Sequence, residues 1–330
     1  MTRVACIGEC MIELRQAQGG SQGGSQAGAQ ASPGGGLYSR GYGGDTLNTA
    51  VYLARLGVDV DYITALGDDV LSDEMVAGWT AEGIGTKRVA RVAGKLPGLY
   101  MIQTDDKGER QFFHWRESAA ARSLMDLAET EDILNSLATY DVVYLSAITL
   151  SILSEDGRGR LMTALKRARL LGTRFAFDTN FRARGWPDLN IARRVFSEAF
   201  EGADIVLAST EDLLPLYPGE SNSALMAGIS SPEVVLKLAE PTCVLRFAGS
   251  SQEVKAERLT KPVVDTTAAG DSFAAAYIAA RVAGSDPVEA ARAGHRLAGV
   301  VVGYPGAIIP RYAMPPRKSP RPTISRKASQ

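Results

Sequence analysis

The stretch "DTTAAGDSFAAAYIAA", Asp265–Ala280, sets an acid, Asp271, between a run of small residues and an apolar run with helical character. Thr266, Thr267, Ala268, Ala269 and Gly270 are small enough for the backbone to approach a ligand closely, and "SFAAAYIAARVAG" reads as a helix with an Ala-rich face. A helix N-terminus presents unpaired N–H groups and a partial positive charge, so it can hold a phosphate. Asp271 would then stand in the first turn beside the anion. An acid at that position also simply complements the helix dipole, with Asp265 or Thr266 as the cap. This stretch alone leaves both readings open.

Working outward, short β-branched or apolar runs alternate with amphipathic stretches, the pattern of βα units around a mostly parallel sheet. The expected strands are 4–8, 62–66, 142–146, 174–178, 205–208 and 243–247, with helices following most of them. Between Gly98 and Arg116, "GLYMIQT" and "RQFFHWR" flank the turn-prone "DDKG", which predicts a hairpin standing apart from the α/β core. Residues 16–36 are rich in Gly, Gln, Ser and Ala without a charge, and are expected to form a flexible insertion. Residues 311–330 are rich in Lys, Arg and Pro without an acid, and read as a solvated extension.

Composition narrows the function classes. With 330 residues, 45% of them hydrophobic, the chain can bury a large core. A net charge of -1 argues against a nucleic-acid surface spread over the molecule. The three cysteines, Cys6, Cys10 and Cys243, are too scattered for a disulfide framework or a clustered thiolate metal site, which points to a cytoplasmic setting. Cys6 and Cys10 are expected to be buried apolar residues. No secretory signal is visible, and the longest apolar window, 142–153, is too short to span a bilayer.

Two further stretches carry candidate chemistry. In "GYGGDTLNTAVYLARLG", Gly41–Gly57, Gly43 and Gly44 permit a tight approach, while Asp45 and Asn48 offer polar groups for a polyol where a helix begins. Asp45 serves equally as an N-cap. In "FDTNFRARGW", Asp178, Asn180 and Arg182 occupy alternate positions just beyond a strand, where ligands bind in open α/β sheets. A capping turn with surface arginines explains the same residues. No Gly-Lys-Ser/Thr triplet occurs, and after Gly41 and Gly43 the third position of a dinucleotide fingerprint is Thr46.

"GGDTLNTA" and "DTTAAGDSF" together resemble the two signatures of the ribokinase-like (PfkB) carbohydrate kinases. "IGECMIEL", "LPGLY", "GER" and "GAIIP" bring the chain nearest the branch acting on 2-keto-3-deoxygluconate. The resemblance implies a three-layer α/β/α fold with a small β lid, formed by segments near 9–45 and 95–117 within a kinase domain over 1–310. It implies ATP and Mg²⁺ as reactants, an acidic sugar as substrate, and self-association through the lid. It also implies Asp271 as catalytic base, with the backbone of Ala268, Ala269 and Gly270 as anion hole. Gly44, Asp45, Asn48, Tyr100, Arg116 and Arg182 fall at sugar-binding positions, with His114 facing the sugar from the lid. Asn180, Ser209 and Arg246 fall near the nucleotide. Two arginines, Arg116 and Arg182, suit a carboxylate, which guanidinium pairs bidentately.

The sequence departs from that pattern in four places, the first being the long glycine-rich insertion after Arg15, which falls where relatives have a short turn into the lid. Ala268 replaces the usual glycine of the anion hole, at an expected small cost because the N–H groups remain. The stretch 246–265 looks shorter than in relatives, which bears on ATP affinity. "LASTEDLLPLY" puts Ser209 and Asp212 where an Asn-x-x-Glu motif is usual, so no metal ligand is assigned. Trp115 reads as lid packing. A non-catalytic sugar-binding relative, another sugar or nucleoside kinase, and a nucleic-acid binder acting through the basic tail are the competing functions.

Overall fold

The computed structural model describes residues 2–16, 37–104, 110–259 and 261–316. A nine-stranded sheet runs in the order β13-β12-β11-β10-β9-β8-β1-β4-β5. Its central strands are β1 (Arg3–Ile7), β4 (Asp59–Gly67), β8 (Val142–Ser146), β9 (Arg174–Asp178), β10 (Ile205–Ser209) and β11 (Glu233–Lys237), all parallel, with β5 (Val89–Val92) added in parallel at one edge. The other edge turns antiparallel through β12 (Thr242–Phe247) and β13 (Ser250–Lys255).

Alternation along the strands builds two cores. Ala5 and Ile7, Val143 and Leu145, and Val234 and Leu236 pack on one face, beneath α3 (Thr130–Ser136), α4 (Ala147–Ile152), α5 (Glu155–Leu170), α6 (Leu189–Gly202), α7 (Thr210–Leu213) and α8 (Asn222–Ala227). Val4 and Cys6, Val142 and Tyr144, and Val235 pack on the other, beneath α1 (Asp45–Arg55), α2 (Val70–Ala81), α9 (Ala269–Val282) and α10 (Pro287–Val301). Strands buried on both faces read as continuous apolar runs, which is why five of these six central strands, all but β11, are visible in the sequence. All three cysteines are free and buried.

A second, four-stranded sheet, β3-β2-β6-β7, forms the lid: β2 (Met11–Gln16), β3 (Tyr38–Gly43), β6 (Gly98–Thr104) and β7 (Arg110–Trp115). The hairpin expected over 98–116 is therefore two strands of this lid, antiparallel from Leu99↔Trp115 to Thr104↔Arg110. Its turn, and residues 17–36 of the glycine-rich stretch, lie outside the described residues; Gln16 itself closes β2. All four lid strands meet the core at one hinge line, where Met11 pairs with both Gly43 and Gly98.

Several expectations need correction. Strands β5, β11 and β13 have no counterpart among the expected strands: β5 has four residues, β13 is mostly exposed, and β11 is a five-residue run that begins and ends on a charge. The segment 246–265 completes a β12–β13 hairpin whose turn residues, Ala248 and Gly249, both have positive φ. The expected tail does not begin as a solvated extension, since Arg311 pairs with Glu82 at 2.9 Å and bonds the Ala81 carbonyl at 2.7 Å; residues 317–330 lie outside the described residues. Trp115 is 58% exposed on the lid rather than packed within it. Among the described residues no helix is long and apolar enough to cross a membrane.

Candidate active site

The cleft lies between the lid and the C-terminal ends of β1, β8, β9, β10 and β11, where the N-termini of α1 and α9 converge. Asp271 occupies the first turn of α9. Its Oδ2 accepts a hydrogen bond from Asn48 Nδ2 at 2.8 Å, and its carbonyl accepts one from Thr49 Oγ1 at 3.3 Å. Burial, then the neighbouring charges of Asp45 and Asp178, push its carboxyl up to about 7, against the opposing effects of the Asn48 hydrogen bond and Lys237. A carboxyl titrating there can take a proton at neutral pH, which a carboxylate near its ordinary value of 3.8 does poorly.

The N-cap of α9 is neither Asp265 nor Thr266. Ala268 fills that position with φ 60° and no side-chain cap hydrogen bond. Asp265 instead braces the loop ahead of the helix: Oδ1 accepts from Thr267 N at 2.9 Å and Oδ2 from Gly306 N at 2.9 Å. A left-handed alanine costs roughly 1–2 kcal/mol of folding free energy, while the backbone N–H groups of an anion hole stay in place.

Asp45 is likewise not a cap. Gly44 is the N-cap of α1, without a side-chain bond, and Asp45 is the first helical residue. That frees its carboxylate, whose Oδ2 accepts from Asn180 Nδ2 at 2.8 Å. The glycines are required by proximity: a Cβ on Gly44 would strike the Glu9 carbonyl, and one on Gly43 the Tyr100 hydroxyl. Asn48 is buried and its Oδ1 has no hydrogen-bond partner among the described residues, an acceptor left for a ligand.

Sheet and lid bring the remaining candidates together unequally. Asp178 closes β9, and burial raises its carboxyl to about 6, against the attraction of Lys237. Asn180 follows it into the cleft, whereas Arg182 stands at the rim, 58% exposed, with Nη1 3.4 Å from Asp212 Oδ1. Ser209 caps α7, accepting from Asp212 N at 3.1 Å and donating to Asp212 Oδ2 at 2.7 Å. Asp212 also accepts from Thr179 Oγ1 at 2.8 Å and Phe181 N at 3.0 Å. Ser209 and Asp212 thus brace the turn carrying Asn180 and Arg182.

Arg246 is not at the site. Because β12 runs antiparallel to β11, it pairs with Val234 near the opposite end of the sheet, where its guanidinium bonds the Met226, Ile229 and Ser231 carbonyls. That reversal is set by the antiparallel step from β11, a strand with no counterpart among those expected from the sequence.

On the lid, Tyr100, His114 and Arg116 share one face. The rings of Tyr100 and His114 stack with centroids 6.0 Å apart, and burial lowers the imidazole's pKa. Tyr100 donates a short hydrogen bond to Glu13. Arg116 pairs with Glu9, whose side chain is 1% exposed and whose carboxyl is pushed up by burial. Glu9 Oε1 and Arg116 Nε have no hydrogen-bond partner among the described residues. Two residues went unnoticed in the sequence: Glu9, at the β1-to-lid crossover, and Lys237, the last residue of β11. Lys237 is signalled by a lone cation ending the run "EVVLK".

The arrangement has counterparts among known proteins. The profile described as pfkB family carbohydrate kinase matches residues 1–313. The 2-dehydro-3-deoxygluconokinase of Dickeya dadantii is 42% identical over 321 residues, 94% of this chain and 98% of its own. The enzyme of that name from Escherichia coli K12 is 40% identical over 322 residues, 95% and 99% of the two chains. A fructokinase with bound ATP from Xylella fastidiosa superposes with TM-score 0.77 at 23% identity, over 95% of each chain. A putative ribokinase II from E. coli, in complex with ATP and Mg²⁺, gives 0.76 at 22%, over 93% and 94%. The last two show the fold alone.

Proposed function

From the premise that the chain belongs to the pfkB family of carbohydrate kinases, we propose that it transfers the γ-phosphoryl group of ATP to 2-keto-3-deoxygluconate, giving 2-keto-3-deoxy-6-phosphogluconate. The observation that carries this reading is Asp271, a carboxyl raised to about 7 and fixed by Asn48 at the N-terminus of α9. Asp271 accepts the proton of the attacking hydroxyl as its oxygen bonds to phosphorus and the bond to the ADP oxygen breaks. The first N–H groups of α9 face the transferring group and stabilise its charge. Small side chains at Ala268, Ala269 and Gly270 leave room for phosphate, which fits ATP.

Bound Mg²⁺ supplies further charge neutralisation on the phosphates. It favours one or two carboxylates together with phosphate oxygens. Asp178, whose contacts with Asn180 N, Tyr144 Oη and Lys237 Nζ lie at 3.3, 3.4 and 3.5 Å, is the carboxylate that would share it.

Substrate choice rests on the lid. Arg116, with Nε unpartnered, and Arg182 at the rim provide guanidinium groups for a sugar acid's carboxylate, while Asp45 and Asn48 provide acceptors for its hydroxyls. The test is ATP-dependent phosphorylation of 2-keto-3-deoxygluconate against 2-keto-3-deoxygalactonate, fructose, ribose and adenosine, with Mg²⁺ omitted as a control. Preference for the keto-deoxy acid supports the assignment. Preference for fructose or ribose overturns the substrate, and binding without ATP turnover overturns the reaction.

A further inference from the structure

Lys237 remains without a role in that scheme. Alternation along β11 aims Glu233, Val235 and Lys237 at α9. Glu233 bonds Tyr277 at 2.6 Å and Arg281 at 2.8 Å, toward the C-terminal end of the helix, and Val235 packs in the core that α9 covers. Lys237 then reaches the N-terminal end, its ammonium 3.6 Å from where a Cβ on Gly270 would stand. The side chain is 17% exposed, and its ion pair with Asp178 Oδ2 is 3.5 Å long.

We propose that Lys237 is a catalytic residue of the phosphoryl transfer, contacting the phosphate lodged against the N-terminus of α9 and carrying part of its developing charge. This rests on the kinase reading above. A helix N-terminus is already positive, and an ammonium beside it adds to the attraction for a phosphate lodged there. Its carboxylate partner is held loosely, since charge-assisted N–H···O bonds normally run 2.7–2.9 Å. The Arg281–Glu233 pair on the same strand face closes at 2.8 Å, so the geometry at Lys237 is not imposed by the sheet. A lysine is a compact point charge suited to phosphate. It forms no covalent bond and gives up no proton; the hydroxyl proton goes to Asp271.

The test compares Lys237→Met and Lys237→Arg with the unmodified enzyme, measuring kcat, both KM values, ATP binding by calorimetry, thermal stability and the pH profile. Lys237→Met is expected to lower kcat about 10²–10³-fold and weaken ATP, with KM for the sugar within about 2-fold; Lys237→Arg recovers part of kcat. Because the cation favours the charged form of Asp271, the acid limb of kcat also moves to higher pH in Lys237→Met. Unchanged kcat and an unmoved limb, with only the melting temperature altered, would reduce Lys237 to a counter-ion of Asp178 and overturn the proposal. Should Lys237→Met not fold, Lys237→Gln is read by the same measures. An inactive Asp271→Asn beside a fully active Lys237→Met sinks this inference alone, whereas an active Asp271→Asn sinks the kinase reading beneath it.

Discussion

Two charge pairs border the cleft, and they are built differently. At the lid hinge, Arg116 closes tightly on Glu9, a carboxylate 1% exposed with one oxygen left unpartnered. At the core rim, Lys237 stands 3.5 Å from Asp178. Breaking a tight buried pair strands a charge and costs about 3–5 kcal/mol, so the hinge pair fixes where Arg116 stands as the lid meets the core. A long pair has little contact to lose, so the rim pair can yield its cation to a stronger anion. On the proposed function, sugar recognition is mounted on a fixed charge, and phosphate handling on exchangeable ones.

Asp271 lies on the exchangeable side, and its removal should have the largest effect. Asp271→Asn is expected to lose about 10²–10⁴-fold in kcat. The same change should stabilise the protein. With a folded value near 7 against 3.8, the folded state holds a proton that the unfolded chain releases, so stability falls as pH rises between those values and stays reduced above them. Asparagine lacks that titration. Melting curves at pH values on either side of this window should show Asp271→Asn gaining over the unmodified enzyme mainly on the alkaline side. An equal offset at every pH would contradict the raised carboxyl.

On the fixed side, Arg116→Ala should raise KM for the keto-deoxy acid about 10–100-fold, the equivalent of one charged hydrogen bond, and leave neutral sugars nearly unaffected. It also strands Glu9. Arg116→Ala with Glu9→Gln separates the two consequences: selectivity stays lost while much of the melting temperature returns. If selectivity returns too, Arg116 is only the partner of Glu9.

The asymmetry also explains what the sequence disclosed. Asp271, Asp45, Asn48 and Asn180 were legible because each follows a pattern the chain must obey locally, a small-residue helix start or the end of an apolar strand. The central strands other than β11 were legible for the same reason. Glu9 and Lys237 were not, since each acts through a partner far along the chain, Arg116 and the α9 terminus, and only the packed sheet brings them together. Arg246 failed in the opposite sense: the missed β11 hid the antiparallel step that carries it away from the cleft. The caps failed because Gly44 and Ala268 terminate their helices by backbone conformation rather than by a side chain.

Ala268 offers the smallest and sharpest test of the exchangeable side. Its φ of 60° puts it in the left-handed region at the start of α9. Ala268→Gly relieves roughly 1 kcal/mol of left-handed strain in the folded chain, and the added freedom of the unfolded chain offsets part of that gain. The expected result is a slightly higher melting temperature with kcat within about 2-fold, because the N–H groups are unchanged and act through the backbone. A kcat that falls sharply would mean that the alanine methyl itself shapes the phosphate site, and the anion end of the cleft would then depend on a side chain as the lid end does.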